Sequence, residues 1–178
     1  GIGFAYMALR NNERFVLSTF AEQLERFKPH RGKRQLVAIL DYLKTKKPQG
    51  VSRFELSLRN YAKTITSRSL IVVISDFLYD PEEIRRSLFG FKNHDVKLIQ
   101  VLDEVEKNMT LKGEFKLKDM ETKSLMKTSL RSFARKQYLA KLADHTKYLK
   151  HVATQLGAQF YSITTDKPIF DTFFEVLQ

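Results

Sequence analysis

The chain has no cysteine in its 178 residues, and only 7 glycines and 4 prolines. Without cysteine there is no disulfide framework, no thiolate metal site and no cysteine nucleophile, a composition that suits a reducing compartment. The lone GxG, Gly1-Ile2-Gly3, lacks both a third glycine and a preceding strand, which argues against a standard nucleotide or dinucleotide loop. The longest apolar runs are about five to seven residues, far short of the ~20 a membrane span needs. No signal-peptide pattern opens the chain. Its first residues, GIGFAYMALRNNERF, read as the inside of a helix, so the expectation is an N-terminally truncated piece of a longer protein.

Catalytic constellations are missing as well. There is no G-x-S-x-G elbow. Of the four histidines, His30, His94, His145 and His151, the last two are six apart and cannot chelate together from one helix as an i, i+4 pair would. Asp144-His145 reads as a surface pair rather than part of a triad. No nucleophile has a credible base, and the expectation is a protein that is not an enzyme.

What is present is an ordinary globular composition, 43% hydrophobic and 29% charged, read as one domain over residues 1–178. The net charge is +11, and its distribution is uneven. Residues 107–150 hold 12 Lys/Arg against 4 Asp/Glu, whereas the rest of the chain holds 19 against 16. A basic surface there, including Lys112, Lys116, Lys118 and Lys123, could attract nucleic acid, anionic lipid or an acidic protein face. The plainer reading is a solvated helix and hairpin.

Helical spacing covers residues 1–10 and stops at Asn11-Asn12. Residues 14–20 and 23–29 read as a strand pair, the second an edge strand closed by Pro29. Leu36, Ile39, Leu40 and Leu43 share one face of a helix over 33–43, and another helix runs from Arg53 to Ile65. The β-branched run Leu70–Ile74 predicts a strand buried on both faces. Asp80, Pro81, Glu82 and Glu83 then spell an N-cap, a first-turn proline and a dipole-matched start for a helix reaching about Lys92. Residues 95–102 predict another buried strand, and 109–127 a hairpin turning near Asp119–Thr122. A long helix with an apolar stripe from Leu130 to Leu156 ends at Gly157, a left-handed C-cap. A strand over 158–164 and a helix over 167–177 complete the chain.

Alternating strands and helices predict an α/β, Rossmann-like fold: a mostly parallel sheet with helices on both faces. Ligands of such sheets bind beyond the carboxyl ends of the strands. Two oxygen-bearing segments fall where that rule applies, Ser75-Asp76 and the acidic run Asp103–Glu106, and a third, Ser52, stands in a glycine loop at a helix start. A hard cation such as Mg²⁺ takes oxygen ligands and keeps several waters, so these residues are its natural donors. Against this, Ser52 is also a good N-cap and Asp76 a good turn residue.

The order of the quoted segments carries a resemblance. LRNNERFVLSTF, a strand pair ending in K-P-x-R-G, GVSRFELSL, VVISDF and HDVKLIQVLDEVE follow one another as in a von Willebrand factor type A-like domain. More narrowly, they are similar to the prokaryotic domain of unknown function number 58. The resemblance implies a metal-ion-dependent adhesion site in which Asp76 and Ser52 are ligands of Mg²⁺ or Mn²⁺; Asp103 and Glu106, at the end of the next strand, are candidate accessory acidic groups by their position. It also implies a non-enzymatic protein-interaction module working with a MoxR-type AAA+ ATPase in complex assembly. The D-x-S-x-S segment that supplies most ligands in that family is not in this sequence. The expectation is therefore a partial site whose cation belongs to the full-length protein, and a sheet lacking its first, central strand. The gap would invite self-association. A cytoplasmic position is expected for this domain, with any membrane anchor upstream. The alternative function is nucleic-acid or anionic-surface binding through residues 107–150.

Overall fold

The computed structural model describes residues 1–21, 24–27, 35–46, 53–109, 114–118, 125–129 and 132–177. Two compact units emerge, one within Gly1–Arg53 and one from Phe54 onward. In the first, helix α1 (Ile2–Arg10) packs on helix α2 (Gln35–Thr45), and strands β1 (Leu17–Phe20) and β2 (Leu24–Phe27) pair antiparallel. The Thr19 and Tyr42 hydroxyls share a hydrogen bond of 2.9 Å, and Lys46 pairs with Glu25. The face α2 buries is Gln35 and Ile39, while Leu40 is exposed. The apolar stripe expected from the sequence is therefore rotated toward Gln35.

The second unit holds the parallel sheet, ordered β3–β4–β7, from strands β3 (Leu70–Ser75), β4 (Asp95–Leu102) and β7 (Gln159–Thr164). Parallel neighbours need crossovers, and helix α4 (Pro81–Phe89) supplies the one between β3 and β4. Helix α3 (Phe54–Ala62) packs beside α4. After β4 come the short helix α5 (Glu104–Asn108), the antiparallel strands β5 (Glu114–Lys118) and β6 (Leu125–Ser129), and the long helix α6 (Ser132–Gln155). Helix α7 (Ile169–Leu177) ends the chain's described part. The expected hairpin is present as β5 and β6, but its turn, Asp119–Thr122, lies outside the described residues.

Register divides the sheet into two faces. Ile71, Val73 and Ser75 stand beside Val96, Leu98 and Gln100, and these beside Phe160 and Ser162. Ile71, Val73, Val96, Leu98 and Gln100 are buried. Helix α6 lies on this face, for Thr146 reaches the Gln100 side chain at 3.4 Å. On the opposite face Lys97 donates to the Val176 carbonyl of α7 at 2.6 Å, so helices cover both sides of the sheet. This is the α/β, Rossmann-like arrangement expected from the sequence. One expectation fails: β3 is not buried on both faces. Leu70 is 54% and Ile74 38% exposed. A helix about 10 Å wide covers roughly two strands at ~4.8 Å spacing, and α7 sits over β4. Among the described residues β3 pairs with β4 alone.

Candidate functional site

The carboxyl end of β3 becomes a tight crest before α4 begins. The Ser75 hydroxyl accepts from the Phe77 amide at 3.2 Å, and the Asp76 carboxylate accepts from the Leu78 amide at 3.1 Å. Both are side-chain turns of the kind Ser and Asp favour. They leave Asp76 exposed at the sheet's rim, with the Ser75 hydroxyl 3.4 Å from its carboxylate. Phe77 adopts φ +54°, a left-handed conformation uncommon for a bulky residue. Its ring is fully buried, edge-on to Phe54 at 5.9 Å, and Phe54 stacks on Tyr79 at 4.5 Å. Three residues after Phe77, Asp80 accepts from the Glu82 and Glu83 amides and starts α4, as its capping pattern predicted.

Two side chains from distant segments hold this crest from below. Gln100 of β4 is fully buried and donates to the Asp76 carbonyl at 3.0 Å. Its own carbonyl oxygen accepts from Ser162 at 3.0 Å and from Thr146 at 3.4 Å, so the amide is satisfied at both ends. His145 of α6 places Nε2 2.6 Å from the Phe77 carbonyl. A carbonyl only accepts, so Nε2 carries the proton. His145 is half-buried, not the surface residue expected from its sequence context. Its signal was present: it falls three residues after Leu142 and four before Leu149, on the apolar stripe of α6. Gln100 also had one, as the lone polar residue in the run Leu98–Leu102.

Electrostatics around the crest tie α3, α4 and α6 together. Glu55 accepts two hydrogen bonds from the Arg86 guanidinium, at 3.1 and 3.3 Å, and these with the nearby Arg59 hold its carboxyl below the ordinary range. The Tyr148 hydroxyl donates to Glu82 at 2.6 Å. That bond lowers the Glu82 carboxyl, with help from Arg85, and raises the Tyr148 phenol against the opposing pull of Arg85. Glu83 in turn accepts from the Glu55 amide at 3.1 Å, closing the first turn of α3.

The other anticipated residues have mixed placements. Ser52 lies outside the described residues. Asp103 stands at the end of β4, where it forms a capping box with Glu106 that starts α5. Asp103 accepts from the Val105 amide, and Glu106 from the Asp103 amide, both at 2.9 Å. Thr165 donates to the second Asp103 oxygen at 3.2 Å. Asp166, past the end of β7, is a third rim carboxylate that sequence reasoning missed. A hydrogen bond from Thr164 lowers its pKa. Among the described residues no three His, Asp or Glu side chains gather closely enough to hold a metal. The donors at β3, Asp76 and Ser75, fit a hard cation in kind and fall short of it in number. Lys112 and Lys123 lie outside the described residues; Lys116 and Lys118 belong to β5, with Lys116 opposite Lys127.

Residues 2–148 match a family described as a protein of unknown function, DUF58. The chain belongs to the DUF58 family. No curated protein matches it. Among solved structures, this DUF58 chain is similar to the conserved hypothetical protein BatB from Bacteroides thetaiotaomicron, at 11% identity and TM-score 0.49, covering 99% of this chain and 83% of that one. It is also similar to an aerotolerance-related membrane protein from Bacteroides fragilis NCTC 9343 carrying multiple mutations to serines. There the identity is 14% and the TM-score 0.48, covering 99% of this chain and 86% of that one. Among the described residues of the DUF58 chain, no helix is long and apolar enough to cross a membrane.

Proposed function

We propose that this DUF58 chain is a non-enzymatic protein-interaction module of von Willebrand factor type A character, contacting its partner through the rim at the end of β3. The observation that carries the reading is the Asp76 crest: an exposed carboxylate at the carboxyl end of a parallel strand, on a backbone fixed from two other elements. Fixed oxygen donors beside a hydroxyl suit Mg²⁺ or Mn²⁺, which tolerate a shell completed by water and by an acidic residue of the partner. Ser52 is the further hydroxyl this reading assigns to the ion, and a MoxR-type AAA+ ATPase is the partner it favours. Calorimetric titration of Mn²⁺ and Mg²⁺ into the full-length protein, where the D-x-S-x-S ligands are expected, and into its Asp76→Ala variant tests it. Uptake by the parent and none by the variant supports the reading; equal heats in both would remove Asp76 from the site.

A second reading has its own observation. Arg135, Lys136, Lys141, Lys147 and Lys150 are all exposed along α6, a basic helix suited to an anionic polymer or surface. Salt-sensitive retardation of nucleic acid by the chain supports it, and retardation absent even at low salt counts against it.

A further inference from the structure

We infer that Gln100 and His145 are positioning residues for the rim: they hold the consecutive carbonyls of Asp76 and Phe77 and so fix where the Asp76 carboxylate stands. The inference rests on Asp76 being the contact residue, but it concerns the chain's own backbone and can be tested without a ligand.

Phe77 explains why such a clamp is needed. With φ +54° and a β-carbon, its backbone is held against a preference for other regions. Strain of this kind persists only where the surroundings over-determine it. Full burial of the ring, edge-on to Phe54, fixes the side chain, but a ring alone does not orient the two peptide planes beside it. Gln100 fixes the plane after Asp76, at 3.0 Å to its carbonyl, and His145 the plane after Phe77, at 2.6 Å. The supports are themselves braced. Ser162 and Thr146 hold the Gln100 amide oxygen, so its nitrogen faces the crest with the right donor. His145 rides on α6, whose neighbours Leu149, Val152 and Ala153 are buried. Three elements, β4, β7 and α6, therefore converge on two carbonyls. Supporting groups of this sort ordinarily tune a ligand-bearing carboxylate by setting its orientation.

The test is amide exchange at Phe77 and Leu78, read by NMR on the full chain and its His145 variants. His145→Ala removes the donor and is expected to speed exchange by roughly five- to tenfold, the worth of one hydrogen bond. In His145→Gln the side-chain amide nitrogen reaches the place of Nε2, and exchange should return close to that of the parent. In His145→Asn the nitrogen falls short, and exchange should stay fast. Unchanged exchange in His145→Ala, or equal rescue by Asn and Gln, would overturn the inference. If His145→Ala does not fold, the comparison of Gln with Asn decides alone. Mn²⁺ affinity, measured on the same samples, separates the two ideas. A parent chain that takes no Mn²⁺ leaves exchange to judge the clamp, while the cation reading is judged on the full-length protein. A parent that binds while His145→Ala binds roughly tenfold more weakly supports both. Equal affinities in parent and His145→Ala overturn the positioning role.

Discussion

A single residue, Phe77, shows how local cost and tertiary gain are balanced at the rim. Its left-handed backbone costs about 1–2 kcal/mol, whereas a buried aromatic ring is worth about 3–5 kcal/mol against alanine. The ring wins. Phe77→Ala should therefore destabilise the fold by about 3 kcal/mol, read as a lower urea midpoint at unchanged slope. A loss below about 1 kcal/mol would mean that the ring packs less tightly than its zero exposure and edge contact with Phe54 imply. This residue was not legible beforehand. The run Ser75-Asp76-Phe77 shows a turn forming after a strand, since Ser and Asp bind nearby amides, but nothing local marks the phenylalanine for positive φ. Its partners Phe54 and His145, and the Gln100 that holds the Asp76 carbonyl just before it, lie 23 or more positions away in sequence, and only the assembled fold brings them together.

At the scale of elements, legibility tracks how local the causes are. The start of α4 was written in four consecutive residues, and the structure shows both amides of that cap satisfied by Asp80. Asp80→Ala should accordingly cost about 1 kcal/mol, and Asp80→Asn much less, in chemical denaturation of the two variants side by side. Equal losses would point to the charge rather than the cap. Gly157, expected as a left-handed helix end, stands at φ +66°. The acidic run Asp103–Glu106 shows the reverse case. Its D-x-x-E spacing matches a capping box as well as a cluster of ligands, and the structure has both side chains bonded to the start of α5. The faces of β3 were misjudged because composition reports how apolar a strand is, not how many helices reach it. Leu70 and Ile74 are β-strand residues that α7 does not cover.

Across the whole molecule, the response to acid follows from how its carboxylates are held. Glu55, Glu82 and Asp95 all lie below the ordinary carboxyl range, because of Arg86, of Tyr148 with Arg85, and of Arg68 respectively. The unfolded chain, whose carboxyls titrate near ~4, binds protons at these sites before the folded chain does. Stability linked to them is thus fully present above about pH 5 and is lost as the pH falls through the folded values. Glu82 and Asp95 are exposed and Glu55 is half-buried beside exposed arginines, so each contributes modestly and screening by salt weakens it further. Global charge acts in the same direction. The chain carries +11 at neutral pH, and protonating its acidic groups raises that figure and the self-repulsion of the compact state. The thermal midpoint should stay level from pH 8 to about 6 and drop steeply below about 4.5. Glu55→Gln should melt lower than the parent at pH 7, where Arg86 loses its ion pair, and should lose less on acidification. A variant curve parallel to the parent's from pH 7 to 3 would show that Glu55 takes no part in the acid response, and that general charge repulsion governs it.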